Sequence, residues 1–185
     1  MDIIVKPEIS WNLLDKILIK EDFLSNNMCD ELIEYGTSHV KPGVPKYSPN
    51  VNRLKYEDCV LDKQHKVKDV FEKDWEEIVK FHGFDITFIE PYVLKRYKTS
   101  DFFNEHPDNF GASRGQTMDR KFTTIVQLSN DTDYKGGIFS ILGKTMPNKK
   151  GTLISFPSFY THAVSLLTSG TRWSLINWAW GPYWK

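Results

Sequence analysis

The second half of the chain is a succession of short β-branched and aromatic segments, and this texture constrains the fold more than any other feature. Turn formers such as Asn130-Asp131 and Gly136-Gly137 separate these segments. In order after Gly83, the segments read DITFIEPYVLKRY, FTTIVQLS, GIFSIL, GTLISFPS and RWSLINWAW. Short strands separated by turns in this way are typical of a β-sandwich or a barrel.

The first half of the chain contains two helical patterns. One begins at Ser25, a good N-cap residue, and we expect Gly36 to end it. The other covers residues 64–82, has apolar side chains recurring along one face, and is followed by Gly83. A strand is expected near Ile17–Ile19, ahead of both helices. We therefore predict a mainly β fold with supporting helices, an α+β protein.

Length and charge set the broad class of protein. A chain of 185 residues fits one domain and can bury a core without disulfides. We predict a single domain over residues 1–185, in which residues 1–85 form helical support and residues 86–185 form the β core with the active site. Lysine plus arginine and aspartate plus glutamate number 24 each. This zero net charge gives no reason to expect a nucleic acid or an anionic membrane as a partner.

The cysteines indicate a reducing compartment. Cys29 and Cys59 are too few for a disulfide scaffold and belong to no CxxC pair, which favours reduced thiols in a cytoplasmic protein. The opening segment MDIIVKPEIS lacks the apolar core of a signal peptide, and no run reaches membrane-spanning length. No pattern indicates an oligomeric state.

One short motif in the β-rich half has the chemistry of a metal ligand pair. His106 and Asp108 lie two residues apart, so in an extended chain both side chains point to the same side and can meet one ion. An imidazole together with a carboxylate suits a borderline divalent metal such as Fe(II). Taken alone, the triplet is more typical of a loop histidine beside an exposed aspartate.

Two residues further along the chain strengthen the metal hypothesis. His162 follows the apolar segment GTLISFPS, and Arg172 comes ten residues later at the start of RWSLINWAW. A guanidinium on an otherwise apolar strand needs an anionic partner, and its planar fork suits a carboxylate. Alone, His162 could be a structural histidine at a strand end and Arg172 part of a surface salt bridge. The ordered set of an HxD triplet, a distant histidine and a basic residue is harder to explain structurally.

This order resembles the 2-oxoglutarate/Fe(II) dioxygenases, and in particular their prolyl 4-hydroxylase-like branch. The similarity runs from about residue 92 to residue 184, half of the chain. It is carried by YVLKRYKTSDFFNEHPDN, DRKFTTIVQLSNDTDYKGGIFSI and GTLISFPSFYTHAVSLLTSGTRWSLINWAWGP. The resemblance implies a core with the double-stranded β-helix, or jelly-roll, architecture.

The resemblance also implies roles for individual residues. His106, Asp108 and His162 match the iron-binding triad of the family. Arg172 matches the basic residue that pairs with the distal carboxylate of 2-oxoglutarate. Tyr97, nine residues before His106, matches a tyrosine that lines the same pocket.

Three more residues are predicted around that pocket. Arg120 matches an arginine that faces the substrate in relatives. Trp178 lies six residues after Arg172, so strand alternation turns both side chains toward the cavity. Gln127 stands where close relatives have a tyrosine or phenylalanine, and it could donate a hydrogen bond to 2-oxoglutarate. Core packing is the ordinary alternative for Tyr97 and Trp178, and a solvated charge is the alternative for Arg120.

The implied activity is a hydroxylation that uses Fe(II), 2-oxoglutarate and O2, with ascorbate as a reductant, and releases succinate and CO2. Asp108 favours hydroxylation, since related halogenases lack this carboxylate. We expect the substrate to be a prolyl residue of a protein or peptide. The same chemistry on a free amino acid or other small molecule is an alternative, and a non-catalytic jelly-roll binding module is another. The polar segment 109–119, with its two glycines, is interpreted as a flap over the substrate entrance.

Overall fold

The computed structural model describes residues 13–42, 54–62, 65–109 and 117–183. Within these ranges the chain forms two α-helices, a 3₁₀ turn at Leu13–Lys16, and fourteen strands in two antiparallel sheets. The predicted mainly β fold with supporting helices is confirmed. Neither of the two described helices is long and apolar enough to cross a membrane.

The larger sheet contains nine strands among the described residues, numbered here in chain order. In spatial order its main path is β1 (Leu18–Lys20), β12 (Leu153–Pro157), β8 (Met118–Gln127), β14 (Leu167–Pro182), β6 (Val93–Lys98), β4 (Glu57–Val60) and β2 (Lys41–Pro42). Two further strands, β5 (Phe88–Ile89) and β9 (Tyr134–Gly136), pair with β14. The strand expected near Ile17–Ile19 is present as β1, one residue later.

The smaller sheet contains five described strands. In spatial order they are β11 (Lys144–Thr145), β10 (Phe139–Ile141), β13 (His162–Val164), β7 (Phe102–His106) and β3 (Leu54–Lys55). Strands β1, β3 and β4 come from the first 85 residues and pair with β12, β7 and β6. That segment therefore contributes strands to both sheets, in addition to the helical support predicted for it.

The first helix, α1 (Asn26–His39), begins where the sequence predicts. The Ser25 hydroxyl accepts a hydrogen bond from the Met28 backbone N–H at 3.2 Å, as an N-cap does. The predicted stop at Gly36 is wrong, because the helix continues to His39. Gly36 instead allows a close approach: a Cβ at this position would lie 2.5 Å from Cζ3 of Trp173.

The second helix, α2 (Val67–His82), ends as predicted at Gly83. This glycine has a φ of 67°, the left-handed conformation that favours glycine at a helix end. Val67, Phe71 and Ile78 are buried on one face of the helix and join a cluster with residues of the larger sheet. Each such side chain contributes roughly 1.5–3 kcal/mol when fully buried.

Strand alternation gives the larger sheet two buried faces. Leu94 and Leu175 point to one side, where they form a core cluster with Leu32 of α1 and with α2. Tyr97 and Ile176 point to the other side, where they belong to a second cluster that includes side chains of the smaller sheet. The candidate site lies on this second side, between the two sheets.

Candidate active site

A cavity opens between the two sheets. It is lined by apolar side chains and by a group of polar residues that includes Lys95, Tyr97, His106, Asp108, His162, Arg172, Ser174 and Trp178. Every predicted site residue except Arg120 and Gln127 is therefore part of the cavity wall.

The triad residues converge at this cavity. His106 and His162 are direct register partners across the antiparallel pair β7 and β13, and their ring centroids lie 4.3 Å apart. His106 Nε2 lies 3.8 Å from Asp108 Oδ1, and His162 Nε2 lies 3.4 Å from Asp108 Oδ2. One ligand atom from each residue falls within 4.8 Å of the others, a spacing that can hold a single metal ion.

Backbone carbonyls orient both imidazole rings. His106 Nδ1 lies 2.7 Å from the carbonyl oxygen of Asn104, and His162 Nδ1 lies 3.2 Å from that of Tyr160. When Nδ1 donates to a carbonyl, the tautomer leaves the Nε2 lone pair free for a metal. The Nε2 atoms are the ones that face Asp108, so the donor set is arranged for coordination.

The larger sheet positions Asp108. Thr123 Oγ1 and Trp178 Nε1 donate hydrogen bonds to Oδ2 of Asp108, at 2.8 and 2.9 Å. The Asp108 backbone N–H donates to the carbonyl of Ser158 at 2.8 Å, just after β12. Three contacts therefore fix a carboxylate that belongs to the loop after β7.

Electrostatics favour the protonation states that a metal requires. Burial, with the neighbouring His162, lowers the pKa of His106 to about 4, so its ring is neutral at pH 7. Burial raises the pKa of Asp108, but His162, His106 and Arg120 together outweigh that effect and hold it well below its usual range. Neutral imidazole and ionised carboxylate are the forms that bind divalent metals.

The Arg172 guanidinium is buried and has no carboxylate partner among the described residues. Its side chain is 1% exposed, and Nη2 donates a hydrogen bond to Gln127 Oε1 at 2.7 Å. The Nε atom is buried with no hydrogen-bond partner, and no carboxylate of the described residues lies within ion-pair distance of the guanidinium. Because an unpaired buried charge is costly, the residues here fit the carboxylate of a bound acid.

Tyr97 and Gln127 surround Arg172 in different ways. Tyr97 is its register partner across β6 and β14, and the guanidinium carbon lies 5.5 Å from the tyrosine ring centroid. The Gln127 side chain accepts from Arg172 and donates from Nε2 to the Pro147 carbonyl at 3.3 Å. Both the Oε1 and the Nε2 atoms of Gln127 thus have hydrogen-bond partners within the protein. A direct hydrogen bond from Gln127 to a bound acid stays a prediction.

Arg120 lies beside the triad and outside the cavity wall. Its Nε and Nη2 atoms bond to the two carboxylate oxygens of Glu90, at 2.7 and 3.0 Å. Its guanidinium stacks over Trp178, 4.0 Å from the ring centroid, and Nη1 lies 4.0 Å from Asp108 Oδ1. The structure therefore makes Arg120 a support for Trp178 and Asp108, and its contact with a substrate stays a prediction.

Sequence reasoning missed four residues that shape the site. Thr123 and Ser158 hold Asp108, and Glu90 holds Arg120. Lys95, two residues before Tyr97 on β6, lines the cavity and is 6% exposed. The signal for Lys95 was available, since a charge that shares a strand face with Tyr97 raises the same question as Arg172. Of the predicted flap, residues 110–116 lie outside the described residues.

Comparison with known sequences finds matches to one family over about half of the chain. Residues 92–180 match the model of the 2OG-Fe(II) oxygenase superfamily. A PKHD-type hydroxylase of Picosynechococcus sp. is 30% identical over 94 residues, which are 49% of this chain and 42% of that protein. A PKHD-type hydroxylase of Idiomarina loihiensis is 28% identical over 90 residues, 46% of this chain and 40% of that protein. The matched segments thus span less than half of either relative.

Comparison with solved structures supports the same assignment at the level of fold. The viral collagen prolyl hydroxylase of Paramecium bursaria Chlorella virus-1, in complex with 2OG, has a TM-score of 0.73 at 21% identity, covering 90% of this chain and 96% of that one. A prolyl-4-hydroxylase of Pseudomonas putida has a TM-score of 0.69 at 15% identity, covering 89% and 91%. A Trichoplax adhaerens prolyl hydroxylase, in complex with a peptide fragment of hypoxia inducible factor, has a TM-score of 0.68 at 15% identity, covering 91% and 86%.

The triad and Arg172 lie within the segment that matches the 2OG-Fe(II) oxygenase superfamily model. The chain's structural neighbours include prolyl hydroxylases, and the likeness of fold confirms the predicted jelly-roll core.

Proposed function

We propose that this protein is an Fe(II)- and 2-oxoglutarate-dependent dioxygenase that hydroxylates a C–H bond of its substrate. The observation that carries the proposal is the pairing, in one cavity, of a two-histidine, one-carboxylate donor set with an unpaired buried arginine. Such a donor set leaves coordination positions open on one side of the metal. The arginine supplies a partner for the far carboxylate of a dicarboxylic cosubstrate.

Each residue has a distinct part in this proposal. His106, Asp108 and His162 hold the iron, and Arg172 with Tyr97 binds the distal carboxylate of 2-oxoglutarate. When bound, iron and 2-oxoglutarate supply the oxidising chemistry with O2, releasing succinate and CO2, with ascorbate as a reductant. The protein contributes orientation and a site from which water is excluded. Phe139, Val164 and Ile176 supply apolar side chains to the cavity wall.

The substrate proposed from the family is a prolyl residue of a protein or peptide. Support comes from the neighbours, which include prolyl hydroxylases and one whose structure contains a bound peptide fragment. Trp178, on the cavity wall beside Asp108, and Arg120, stacked on it, are the proposed substrate contacts. Oxidation of a free amino acid or another small molecule is the second candidate, because a buried lysine in the cavity suits an anionic substrate. The cytoplasmic location, argued from two thiols, stays a prediction.

The proposal is tested by measuring succinate release and metal binding in three proteins. Wild type with Fe(II), ascorbate and 2-oxoglutarate is expected to form succinate, and addition of a prolyl peptide panel or a lysate should increase it. His162→Ala should bind Mn(II) at least tenfold more weakly and form no succinate. Arg172→Ala should bind Mn(II) as wild type does but lose 2-oxoglutarate affinity by about thirtyfold or more, since a buried charge pair is worth ~2 kcal/mol or more.

The matched control is His39→Ala, which removes an exposed histidine on α1 that stacks on Tyr35, far along the chain from the triad. It should change none of the three measurements. Wild-type protein that binds Mn(II) no better than His162→Ala does, or that releases no succinate with any substrate, would refute the proposal. A mass increase of 16 Da on a protein, as opposed to a metabolite, distinguishes the two substrate classes.

A further inference from the structure

Lys95 is a buried cation that the proposed chemistry does not use. It lies on β6, lines the cavity, and is only 6% exposed. Lysine is rarely buried to this degree unless it is paired, because removing an ammonium from water costs several kcal/mol. The burial of the Lys95 ammonium therefore calls for a partner that offsets its desolvation cost.

None of the described residues pairs with this charge. No hydrogen bond or ion pair joins the Lys95 ammonium to another residue in the described part of the chain. Its neighbours are aromatic: Nζ lies 4.4 Å from the ring centroid of Tyr56, 5.0 Å from that of Phe103 and 5.9 Å from that of Trp178. Cation–π contacts of this kind offset only part of the desolvation cost, at ~0.5–2 kcal/mol each.

The charge persists despite its burial. Burial lowers the pKa of Lys95 to about 8, while the negative charges of Asp108 and Asp58 act in the opposite direction. At pH 7 the side chain is therefore mostly protonated. The cavity thus contains an ammonium with unused donors, at the side where Trp178 and Asp108 lie.

The positions of the two buried cations assign them to different ligands. Arg172 is the register partner of Tyr97, and Lys95 is the register partner of Ser174, one same-face step along the strand pair. Two residues of strand separate the two positions by ~6.5 Å. In the proposed function, Arg172 binds the distal carboxylate of 2-oxoglutarate. Lys95 then faces the part of the cavity next to Trp178.

We propose that Lys95 binds a carboxylate of the primary substrate and selects substrates that carry one close to the oxidised carbon. This inference rests on the proposed function. A free amino acid would present its own carboxylate, and a peptide would present the side chain of an acidic residue or its C-terminus. A neutral internal peptide segment would leave the Lys95 ammonium unpaired, which makes such a segment a poor substrate.

Matched pairs of acids and amides test the proposal. The protein is loaded with Mn(II) and 2-oxoglutarate, and titrated with L-proline against L-prolinamide and with the peptide Ala-Pro-Glu-amide against Ala-Pro-Gln-amide. In the wild type, the acid of at least one pair should bind about tenfold or more tightly than its amide, as expected of a charge-assisted hydrogen bond. The pair that shows the preference tells the free acid from the acidic peptide.

Two variants show whether Lys95 is the cause. Lys95→Met keeps the length of the side chain and should remove the preference for the acid, with 2-oxoglutarate affinity within about twofold of wild type. Lys95→Arg keeps the charge and should retain part of the preference. The wild-type comparison stands on its own if Lys95→Met does not fold.

Three results would overturn the inference. Acids and amides that bind alike, or not at all, to the loaded wild type show that the cavity does not select a carboxylate. A loss of 2-oxoglutarate affinity in Lys95→Met, tenfold or larger, assigns Lys95 to the cosubstrate. Wild-type protein that binds no 2-oxoglutarate removes the proposed function and this inference with it, which separates that failure from the other two.

Discussion

Trp178 donates a hydrogen bond from Nε1 to Oδ2 of Asp108, at 2.9 Å, so an aromatic side chain of β14 holds the carboxylate of the triad. Thr123 binds the same oxygen at 2.8 Å. The other oxygen, Oδ1, accepts no hydrogen bond from a described residue and lies 3.8 Å from His106 Nε2. The protein thus fixes Asp108 through Oδ2, while Oδ1 faces His106 and Oδ2 also faces His162 Nε2 at 3.4 Å.

Replacing Trp178 with phenylalanine is expected to weaken the metal site. The substitution keeps an aromatic ring in the cavity wall but removes the N–H that orients Asp108. Loss of such an outer contact typically costs tenfold to a hundredfold in metal affinity. We therefore expect the dissociation constant for Mn(II), measured by titration, to rise about tenfold. Trp180→Phe is the control, since its indole N–H bonds to Glu90; equal weakening in both variants would contradict the prediction.

Gln127→Leu is expected to weaken 2-oxoglutarate binding without affecting the metal. Leucine has a similar volume but cannot accept the hydrogen bond that Arg172 donates. Loss of a hydrogen bond to a charged group costs ~1.5–3 kcal/mol, which corresponds to roughly tenfold or more in affinity. Isothermal titration of Mn(II)-loaded protein measures the change. Thr124→Val, a change on the opposite face of β8, should leave the 2-oxoglutarate affinity unaltered. If Gln127→Leu also leaves this affinity unaltered, then Arg172 does not need the hydrogen bond to Gln127 to bind 2-oxoglutarate.

The stability of the fold is expected to fall in acid because of His82. This residue is buried at the end of α2, where Nε2 lies 2.7 Å from the Ser155 hydroxyl, and burial lowers its pKa to about 4 from an ordinary value of 6.5. Between those two pH values the unfolded chain binds a proton that the folded chain does not. The free energy of unfolding should therefore decrease as the pH drops from 6.5 toward 4, by up to ~3 kcal/mol from this residue.

Chemical denaturation of the metal-free protein at several pH values measures that dependence. His82→Gln should show a shallower decrease than wild type over the same pH range. His39→Gln changes an exposed histidine and should reproduce the wild-type curve. Identical pH dependence in wild type and His82→Gln would mean that His82 is not the group responsible.

Gly36→Ala is expected to destabilise the protein, against the usual effect of this substitution within a helix. Alanine normally stabilises a helix interior by about 1 kcal/mol relative to glycine. Here the added methyl group would meet Trp173 Cζ3 at 2.5 Å and Cη2 at 2.9 Å, so the indole or the helix must move. Overpacking of a core typically costs ~1–3 kcal/mol. We expect a lower Tm, while Ser38→Ala, at an exposed position of the same helix, should not lower it.

The parts of the fold and site that follow local rules could be predicted from the sequence. The end of α2 at Gly83 and the strands after it depend on turn residues and on side-chain alternation. The pairing of His106 with Asp108 followed from donor chemistry and spacing, and the resemblance added His162. Strand alternation placed Arg172 and Trp178 on one cavity wall. Apart from His162, each of these features is decided by residues near one another in the chain or by a pattern with a fixed period.

Features that depend on tertiary contacts escaped prediction. The sequence predicted that Gly36 ends the helix. The glycine instead leaves space for the side chain of Trp173, which lies more than a hundred residues further along the chain. The orientation of the Gln127 amide depends on Pro147 and Arg172, which no local pattern brings near it. Lys95 shares a strand face with Tyr97, but the rings of Tyr56 and Phe103 that lie beside its ammonium come from distant parts of the chain.

The register pairing of His106 with His162 has a consequence for the stability of the fold. These histidines belong to the smaller sheet, whereas Asp108 is held by Thr123 of the larger sheet, so an ion bound to all three fastens the two sheets together. A ligand that binds only the folded chain stabilises it by mass action, by ~2.7 kcal/mol at a concentration one hundred times its dissociation constant. We therefore expect the protein with a bound divalent metal ion to have a higher Tm than the metal-free protein.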